Sequence, residues 1–553
     1  MKASDLFVKC LENEGVEYIF GLPGEENSDF CISLLNSKIK FILVRHEQSA
    51  AFMADIYGRI TPNVGVCLAT LGPGATNLTT GIANANMDRS RVLAITGQTD
   101  SHLLHKESHQ NMDAITLFKP ITKWNWSIRN ANNIPEIVRR AFKISLEEKS
   151  GATHIELPQN IAKEMSDILP VNRSPTTRSI PHPSLVKKAA KIILESKRPI
   201  ILVGNGCIRE NSSSHIRQFT EKTGICSMNT FMAKGVISDK SERHLQTIGI
   251  KQADHALIAM KNADVVIAIG YDLVEYSPKN WNGDLSKKII HIDFTSAEVD
   301  TYYPPEVEID ADVEYTIDAI LEELEKEKKI DPSIDFPKKE IPELFKQIKQ
   351  QVVNRIERHK NDKSYPIQPE KLVTDVRASL GDKDIVISDV GAHKMWISKT
   401  YNTFEPNTCL IPNGFCSMGF SVPGAIASQI VYPDRNVVAM CGDGSFLMNV
   451  QEIETACRLN LPIIIIVWVD GGYGLISLKE MDEYGKDAFT RFSNPDFVKL
   501  AQSFGAIGYH VKSSEEFPEI LNEAKKSKDK PVIIAIDVDY SRNKLLLHDD
   551  FER

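Results

Sequence analysis

Two aspartates placed like the ligands of a metal–phosphate site are the clearest chemical feature of the sequence. Asp443 follows the apolar run 437–442, and Asp470 follows the apolar run 461–469. Short runs rich in β-branched residues are typical of buried parallel strands, and the helical spacing between them predicts a right-handed crossover. Both acids are therefore expected at the carboxyl edge of one sheet, where ligands bind in open α/β folds. Two oxygen ligands beside glycines predict a Mg²⁺–diphosphate site, and the alternative is a pair of helix-capping acids.

A glutamate at a predicted junction of strand and helix is the second candidate. Residues 41–44 are apolar, and small or apolar residues prevail from 49 to 54, so Glu47 is expected at a helix start. An acid in that position is partly shielded from water and is suited to proton transfer. Taken alone, however, such an acid is more often a cap or a partner of the helix dipole.

Bulk properties exclude several classes of protein. The 553 residues are too many for one core and predict roughly three or four domains. A net charge of −9 without a basic patch argues against a nucleic-acid partner. Nine scattered cysteines without a C-x-x-C pair fit a reducing compartment and no zinc site. The first residues are typical of a capped helix and not of a signal peptide, and no apolar run could span a bilayer, which together predict a cytoplasmic location.

The elements that must position these residues follow an alternating pattern of strands and helices. This pattern predicts an α/β fold of three doubly wound domains with mostly parallel sheets. Proline-rich or charged connections divide the chain into domains at 1–165, 185–330 and 369–553. Predicted strands are 16–21, 40–44, 64–69, 92–96 and 152–157 in the first domain, and 200–204, 265–270 and 289–293 in the second.

The central domain contains a partial nucleotide-binding pattern. Gly204-Asn-Gly206 follows a predicted strand but lacks the third glycine of the dinucleotide fingerprint. A structural turn between strand and helix is favoured over a working nucleotide site.

The two acidic motifs resemble those of thiamine-diphosphate enzymes. Gly442-Asp-Gly444 and the later 470–472 stretch are similar to the family's diphosphate motif, here with Asp-Gly-Gly in place of Asn-Asn-x. The resemblance implies that Asp443, Asp470 and the carbonyl of Gly472 hold Mg²⁺. The Arg-His-Glu-Gln stretch around Glu47 is similar to the family's cofactor-activating segment. It implies that Glu47 bonds the pyrimidine ring of thiamine diphosphate and activates the cofactor.

Three more segments resemble cofactor loops of the family: 20–24, 69–77 and 413–423. By this resemblance Met418 is the apolar prop that holds the cofactor rings bent, and the alternative is plain core packing. The cofactor-binding residues that the resemblance implies are Pro23, Gly24, Glu47, Thr70, Gly74, Met418, Gly442, Asp443, Gly444, Ser445, Asp470, Gly472 and Tyr473.

Nearly the whole chain resembles the acetohydroxyacid (acetolactate) synthase family. His109-Gln110 stands where the biosynthetic, FAD-containing branch has Phe-Gln, so the resemblance implies the catabolic, FAD-independent branch. Such enzymes decarboxylate pyruvate and couple the remainder to a second pyruvate, giving 2-acetolactate and CO₂. Gln110 and His109 would be catalytic, with Gln110 facing the reacting centre; an exposed pair at a helix start is the alternative. Leu478 or Lys479 replaces a family tryptophan, which argues against strong selection of 2-ketobutyrate.

The resemblance also implies an assembly and leaves alternatives open. The expected assembly is a homodimer or homotetramer with active sites between subunits, using thiamine diphosphate and Mg²⁺, with FAD less expected. One alternative is a biosynthetic enzyme with FAD, which a yellow protein would indicate. Another is a thiamine-dependent decarboxylase or oxidase, which aldehyde or peroxide products would indicate. A non-catalytic nucleotide-binding protein on the same scaffold is a third, which the joint presence of Glu47, Asp443 and Asp470 disfavours.

Overall fold

Three parallel sheets form the frame of the molecule. The computed structural model describes residues 1–174, 177–209, 212–249 and 255–546. Within these residues, eighteen strands form three six-stranded sheets, and the paired strands run parallel. In the third strand, Val66 and Leu68 belong to one apolar core, and Cys67 and Ala69 belong to another. Both faces of the sheet are therefore buried, which confirms the predicted doubly wound α/β class.

Each sheet is built from one third of the strands in chain order. The strands are β1 Tyr18–Gly21, β2 Lys40–Leu43, β3 Gly65–Ala69, β4 Val92–Gln98, β5 Trp124–Ser127, β6 Ala152–Pro158, β7 Pro199–Val203, β8 Cys226–Asn229, β9 His244–Thr247, β10 Val265–Ile269, β11 Lys288–Asp293, β12 Pro305–Asp310, β13 Ile385–Ser388, β14 Cys409–Leu410, β15 Val437–Gly442, β16 Ile464–Val469, β17 Ile507–Val511 and β18 Val532–Asp537. Their orders are β2-β1-β3-β4-β6-β5, β12-β11-β10-β7-β8-β9 and β14-β13-β15-β16-β18-β17.

Helices connect the strands and cover the sheets. They are α1 Ala3–Asn13, α2 Ser28–Leu34, α3 Glu47–Ile60, α4 Pro73–Met87, α5 Ala114–Phe118, α6 Ile134–Leu146, α7 Gln159–Lys163, α8 Pro183–Glu195, α9 Gly206–Arg209, α10 Ser213–Thr223, α11 His255–Asn262, α12 Lys279–Asn282, α13 Val313–Ile330, α14 Glu343–His359, α15 Pro369–Ser379, α16 Ala392–Thr400, α17 Ser421–Val431, α18 Asp443–Met448, α19 Glu452–Arg458, α20 Gly474–Tyr484, α21 Phe497–Phe504 and α22 Phe517–Ala524. No helix in the described ranges is long and apolar enough to cross a membrane.

The predicted strands of the first two domains are present with small shifts at their ends. Four strands were not predicted there: β5, β8, β9 and β12. They are short or carry polar residues, and β5, β9 and β12 lie at sheet edges. Burial is incomplete in β5 and β12, whereas β9 is buried but carries polar residues that weaken the apolar pattern. The helical connection that was predicted between β15 and β16 consists of two helices: α18 starts at Asp443, and a break separates it from α19.

The first and third sheets are joined inside one chain by a shared apolar core. Helix α3 packs against α17, and the rings of Phe52 and Phe420 meet edge to face at 5.6 Å. A buried ion pair reinforces this contact, since Arg59 binds Asp88 at 2.6 Å and Asp88 accepts hydrogen bonds from the backbone of 413–414. The segment that precedes Met418 is thus fixed by the first domain of the same chain.

In the central sheet, the two glycines of the partial fingerprint have a packing role. A Cβ at Gly204 would lie 2.3 Å from the carbonyl oxygen of Gly270, and one at Gly206 would lie 2.7 Å from the Cα of Gly270. The glycines therefore allow two backbone segments to touch. This contact supports the structural interpretation of the turn.

Candidate active site

Asp443 and Asp470 lie at the carboxyl ends of neighbouring strands, as predicted. Strands β15 and β16 pair in parallel with Gly442 opposite Trp468, so the residues after them share one edge. Asp443 is 1% exposed. Its Oδ2 accepts hydrogen bonds from the backbone N–H of Asp470 (3.1 Å) and Gly471 (2.8 Å), and from Asn494 (2.7 Å). The first aspartate thereby fixes the loop that carries the second.

The position beside Asp443 changes the ionisation of Asp470. Burial, and next the charge of Asp443, raise the pKa of Asp470 to about 7. A carboxyl that is costly to ionise beside another carboxyl gains most from a cation. The pair therefore provides negative charge that a divalent ion would stabilise.

Residues around the two aspartates line a cavity of about 100 Å³, here called the third-sheet cavity. Eight of the predicted residues line it: Met418, Gly442, Asp443, Gly444, Ser445, Asp470, Gly472 and Tyr473. A Cβ at Gly444 would lie 2.9 Å from the Tyr473 ring, and one at Gly472 would lie 2.8 Å from the carbonyl oxygen of Thr490. Because glycine has no side chain, a ligand can approach the backbone at these two positions.

Sequence reasoning missed several residues of this cavity. His393, Tyr540, Leu475 and Ile476 also line it, whereas Leu478 and Lys479 do not. His393 is 3% exposed, its Nε2 has no hydrogen-bond partner among the described residues, and burial lowers the pKa of its ring to about 3. A neutral, buried imidazole nitrogen without a partner is suited to bind a polar ligand in such a cavity. Gly391, which lies between the end of β13 and the start of α16, is the sequence signal that could have pointed to His393.

The residues present fit a Mg²⁺–diphosphate group. The predicted ligand set contains only two side chains, Asp443 and Asp470, with a main-chain carbonyl as the third. In agreement with so few side-chain ligands, the described residues contain no group of three or more His, Cys, Asp or Glu side chains that could hold a metal. Oxygen ligands, few in number, suit Mg²⁺, which keeps waters and binds substrate phosphates.

Glu47 begins α3, as predicted, and is half-buried. Its Oε2 accepts a hydrogen bond from Asn77 at 2.9 Å. The backbone N–H groups of Arg45 and His46 donate to Oε1 of Glu452 at 3.0 and 3.1 Å. Glu452 is buried, and burial raises its pKa. The strand–helix junction that presents Glu47 is thus held by an acid from the third domain, which the sequence did not reveal.

Three loops meet beside Glu47 and form what we call the first-sheet cluster: Gly24, Glu47, Thr70, Gly74 and Gln110. A Cβ at Gly24 would lie 2.5 Å from Thr70, and one at Gly74 would lie 3.5 Å from Oε1 of Glu47. A Cβ at Gly72 would lie 2.8 Å from the carbonyl oxygen of Gln110. Pro23, next to Gly24, is exposed. The residues predicted from four separate sequence segments therefore assemble at one sheet edge.

His109 and Gln110 lie on an exposed loop. Gln110 has a φ of +54°, a left-handed conformation that costs energy for a residue with a Cβ. This backbone geometry brings Gln110 against Gly72, which itself has a φ of +50°. The strained conformation thus brings Gln110 to the loop that carries Thr70 and Gly74.

The two groups of predicted residues remain separate within one chain. Each residue that lines the third-sheet cavity belongs to the range 390–540, and none belongs to the first-sheet cluster. Glu47 and Thr70 likewise bond residues of the first domain, Asn77 and Glu26. One chain thus presents two separate groups of candidate residues, the first-sheet cluster and the third-sheet cavity, which we call half-sites.

Family models match all three parts of the chain. The N-terminal thiamine pyrophosphate binding domain matches residues 1–117, the central domain of thiamine pyrophosphate enzymes matches 186–320, and the C-terminal thiamine pyrophosphate binding domain matches 389–536. Each match contains strands of one of the three sheets, in the same order. The fold and the half-sites therefore define a thiamine pyrophosphate enzyme.

Relatives that match over nearly the whole chain show which thiamine pyrophosphate enzymes it is similar to. The chain is 34% identical to the acetolactate synthase of Bacillus subtilis, over 98% of this chain and 94% of the relative. It is 32% identical to the catabolic acetolactate synthase of Raoultella terrigena, over 98% and 96% of the two chains. It is also 32% identical to the acetolactate synthase large subunit of Corynebacterium glutamicum, over 97% and 86%. The chain belongs to the acetolactate synthase family of thiamine pyrophosphate enzymes.

Proposed function

We propose that this chain decarboxylates pyruvate and couples the remaining two-carbon unit to a second pyruvate, forming 2-acetolactate. The observation that carries the proposal is that full-length similarity to acetolactate synthases coincides with an intact pair of half-sites, one around Glu47 and one around Asp443 and Asp470. When bound, thiamine diphosphate supplies the electron sink that lets CO₂ leave. Asp443, Asp470 and the carbonyl of Gly472 would hold Mg²⁺ and the diphosphate, and Glu47 would exchange a proton with the pyrimidine ring.

The remaining predicted residues would position the substrates and the cofactor. Met418 lines the third-sheet cavity with its side chain half-buried, as expected of a prop for the cofactor rings. Gln110 would donate a hydrogen bond to the second keto acid, with His109 beside it. Helix α20 contributes Gly474, Leu475 and Ile476 to the cavity wall, whereas Leu478 and Lys479, the candidates for the place of the family tryptophan, do not line it.

The central domain favours an enzyme without FAD. The carboxyl ends of β10 and β11 bring the buried acids Asp272, Glu275 and Asp293 beside the 204–206 turn. Burial, followed by the charge of Asp272, raises the pKa of Glu275 to about 8. Arg209 is paired with Asp272 and with Glu148. Glu275 also accepts the N–H of Asn205 at 2.9 Å, so this donor of the turn is already bonded within the fold and is not free for a dinucleotide pyrophosphate, which supports the catabolic-like proposal.

Product analysis tests the proposed function. The purified protein is incubated with pyruvate, thiamine diphosphate and Mg²⁺, with 2-ketobutyrate added to a parallel sample. We expect 2-acetolactate as the main product in both samples, because Leu478 or Lys479 stands where biosynthetic enzymes of the family have the tryptophan associated with 2-ketobutyrate selection. Acetohydroxybutyrate as the main product of the mixed sample would instead support the biosynthetic branch. Acetaldehyde or acetate without a coupled product would overturn the carboligase proposal.

We further propose that two chains complete each active site, in a homodimer or a dimer of dimers. The separation of the half-sites supports this assembly. So do exposed apolar side chains at the mouth of the third-sheet cavity: Tyr473 and Ile476 on its rim and Tyr484 at the end of α20, with 37%, 48% and 66% of their surfaces exposed. Exposed apolar patches of this kind mark interfaces. A C2 assembly would pair the first-sheet cluster of one chain with the cavity of the other.

A hybrid of two inactive chains tests the shared site. Glu47→Gln and Asp443→Asn chains are co-expressed with different tags and purified through both tags. The hybrid dimer would contain one site with both defects and one intact site, so about half of the wild-type turnover per dimer is expected. Each variant assembled with itself is the control and should be nearly inactive. A hybrid as inactive as the two controls would show that each chain forms its own site.

A further inference from the structure

A buried polar pair lies directly beneath the loop that carries His109 and Gln110. Gln98 is the last residue of β4, and Glu156 lies on the neighbouring strand β6. Gln98 is 2% exposed and Glu156 is 3% exposed. Nε2 of Gln98 donates to Oε2 of Glu156 and to the carbonyl oxygen of Met112, both at 3.0 Å. Oε1 of Gln98 accepts the N–H of Thr99 at 2.9 Å, so the amide uses both its donor group and its acceptor.

The pair is costly to bury. Burial raises the pKa of Glu156, and the nearby charge of Asp113 raises it further, although hydrogen bonds from Ser127 and Gln98 offset part of the effect. Two apolar side chains of the same shape would fill this space without that cost. Packing alone therefore does not account for the pair. A second role of the pair is to hold the backbone of Met112 through Gln98.

The loop above the pair has few other anchors to the sheet. Residues 104–107, 109 and 110 are exposed. The N–H of Asn111 bonds the carbonyl of Ser108 at 3.2 Å, and its side chain bonds the carbonyl of Lys106, but these contacts lie inside the loop. The contact between Gln98 and Met112 instead links the loop to the buried sheet edge.

The anchor lies two residues from a strained position. Gln110 has a φ of +54°, and its carbonyl oxygen lies close to Gly72. A non-glycine residue in this conformation persists only where its surroundings hold it. Just beyond Met112, the Asp113 side chain caps α5 by accepting the N–H of Thr116 at 2.9 Å. Gln98 thus holds the backbone between the strained residue and the capped helix.

We infer that Gln98, held by Glu156, is a positioning residue that fixes the Gln110 loop for capture of the second keto acid. This inference rests on the proposed function. When the loop is in place, a carbon–carbon bond forms between the carbonyl carbon that has lost CO₂ and the carbonyl carbon of the acceptor. When it is not, the first carbon takes a proton from water instead, and acetaldehyde leaves. Loss of the anchor should therefore change the partition between the two products.

The test compares three variants in the full-length protein with pyruvate, thiamine diphosphate and Mg²⁺. Gln98→Met keeps the volume and removes both donated hydrogen bonds. We expect its ratio of acetolactate to acetaldehyde to fall about tenfold, the effect of one or two hydrogen bonds. Glu156→Gln keeps an oxygen that accepts from Gln98, so its ratio should stay near wild type. Thr96→Val removes a nearby buried hydrogen bond, to His154 at 2.8 Å, which does not reach the loop.

Hydrogen–deuterium exchange of the peptide covering 104–113 provides a second readout that does not depend on activity. We expect faster exchange in Gln98→Met and unchanged exchange in Thr96→Val. An unchanged product ratio in Gln98→Met, or an equal change in Thr96→Val, would overturn the inference. If the wild-type protein forms no coupled product, the proposed function fails. In that case the exchange rate alone tests whether Gln98 anchors the loop. Faster exchange in Gln98→Met, confined to this loop, would support the anchoring role, and an unchanged rate would overturn it.

Discussion

Replacing Glu47 with glutamine is expected to lower turnover by about 10²–10⁴-fold, the usual contribution of a positioned acid or base. Glutamine has nearly the same shape, and its amide oxygen can still accept the hydrogen bond that Asn77 donates to Oε2. The helix start should also persist, because Glu452 binds the backbone N–H groups of Arg45 and His46, and not the Glu47 side chain. The variant therefore removes proton exchange and leaves the first-sheet cluster in place.

The measurement is steady-state turnover of pyruvate at saturating cofactor, together with the melting temperature. Glu136→Gln is the matched control, because Glu136 is an exposed acid in the first turn of α6 and should give wild-type turnover. Turnover of Glu47→Gln close to wild type would overturn the assignment of Glu47. A large fall in melting temperature would show that the residue acts on the fold.

Replacing Asp443 with asparagine is expected to abolish Mg²⁺-dependent retention of thiamine diphosphate. The change removes one of two charges that face the ion. It also weakens the contacts that fix the next loop, since Oδ2 of Asp443 accepts from the backbone of both Asp470 and Gly471. Loss of an outer partner alone costs about 10–100-fold in metal affinity, so loss of a ligand that also orients its neighbour should cost at least as much.

Titration calorimetry of thiamine diphosphate, with Mg²⁺ and with a chelator, measures this effect. Wild-type affinity should depend strongly on Mg²⁺, and the affinity of Asp443→Asn should be low and nearly independent of it. Asp529→Asn changes an exposed acid before β18 and should bind like the wild type. An unchanged Mg²⁺-dependent affinity in Asp443→Asn would contradict the proposed metal site.

The buried strands and the position of the acids could be predicted because both depend on local sequence. Strands β15 and β16 are continuous apolar runs, so their place in a parallel sheet follows from composition. The acid after each run is then at the carboxyl edge by topology alone. The edge strands β5 and β12 could not be predicted in this way, because strands that are partly exposed need no continuous apolar pattern. Strand β9 is buried, but His244, Gln246 and Thr247 interrupt its apolar pattern.

The sequence by itself determined the fold class and, through its resemblance to known enzymes, the family, and it predicted the candidate residues of the half-sites, because strand runs, glycine turns and acids next to them are local patterns. Tertiary structure alone decided which distant residues support those patterns. Glu452 reaches across from the third domain to the start of α3, His393 enters the cavity from α16, and Gln98 holds the Gln110 loop from below. Such contacts join residues far apart in the chain. Their partners are chosen by packing between helices and sheets, which no local pattern encodes.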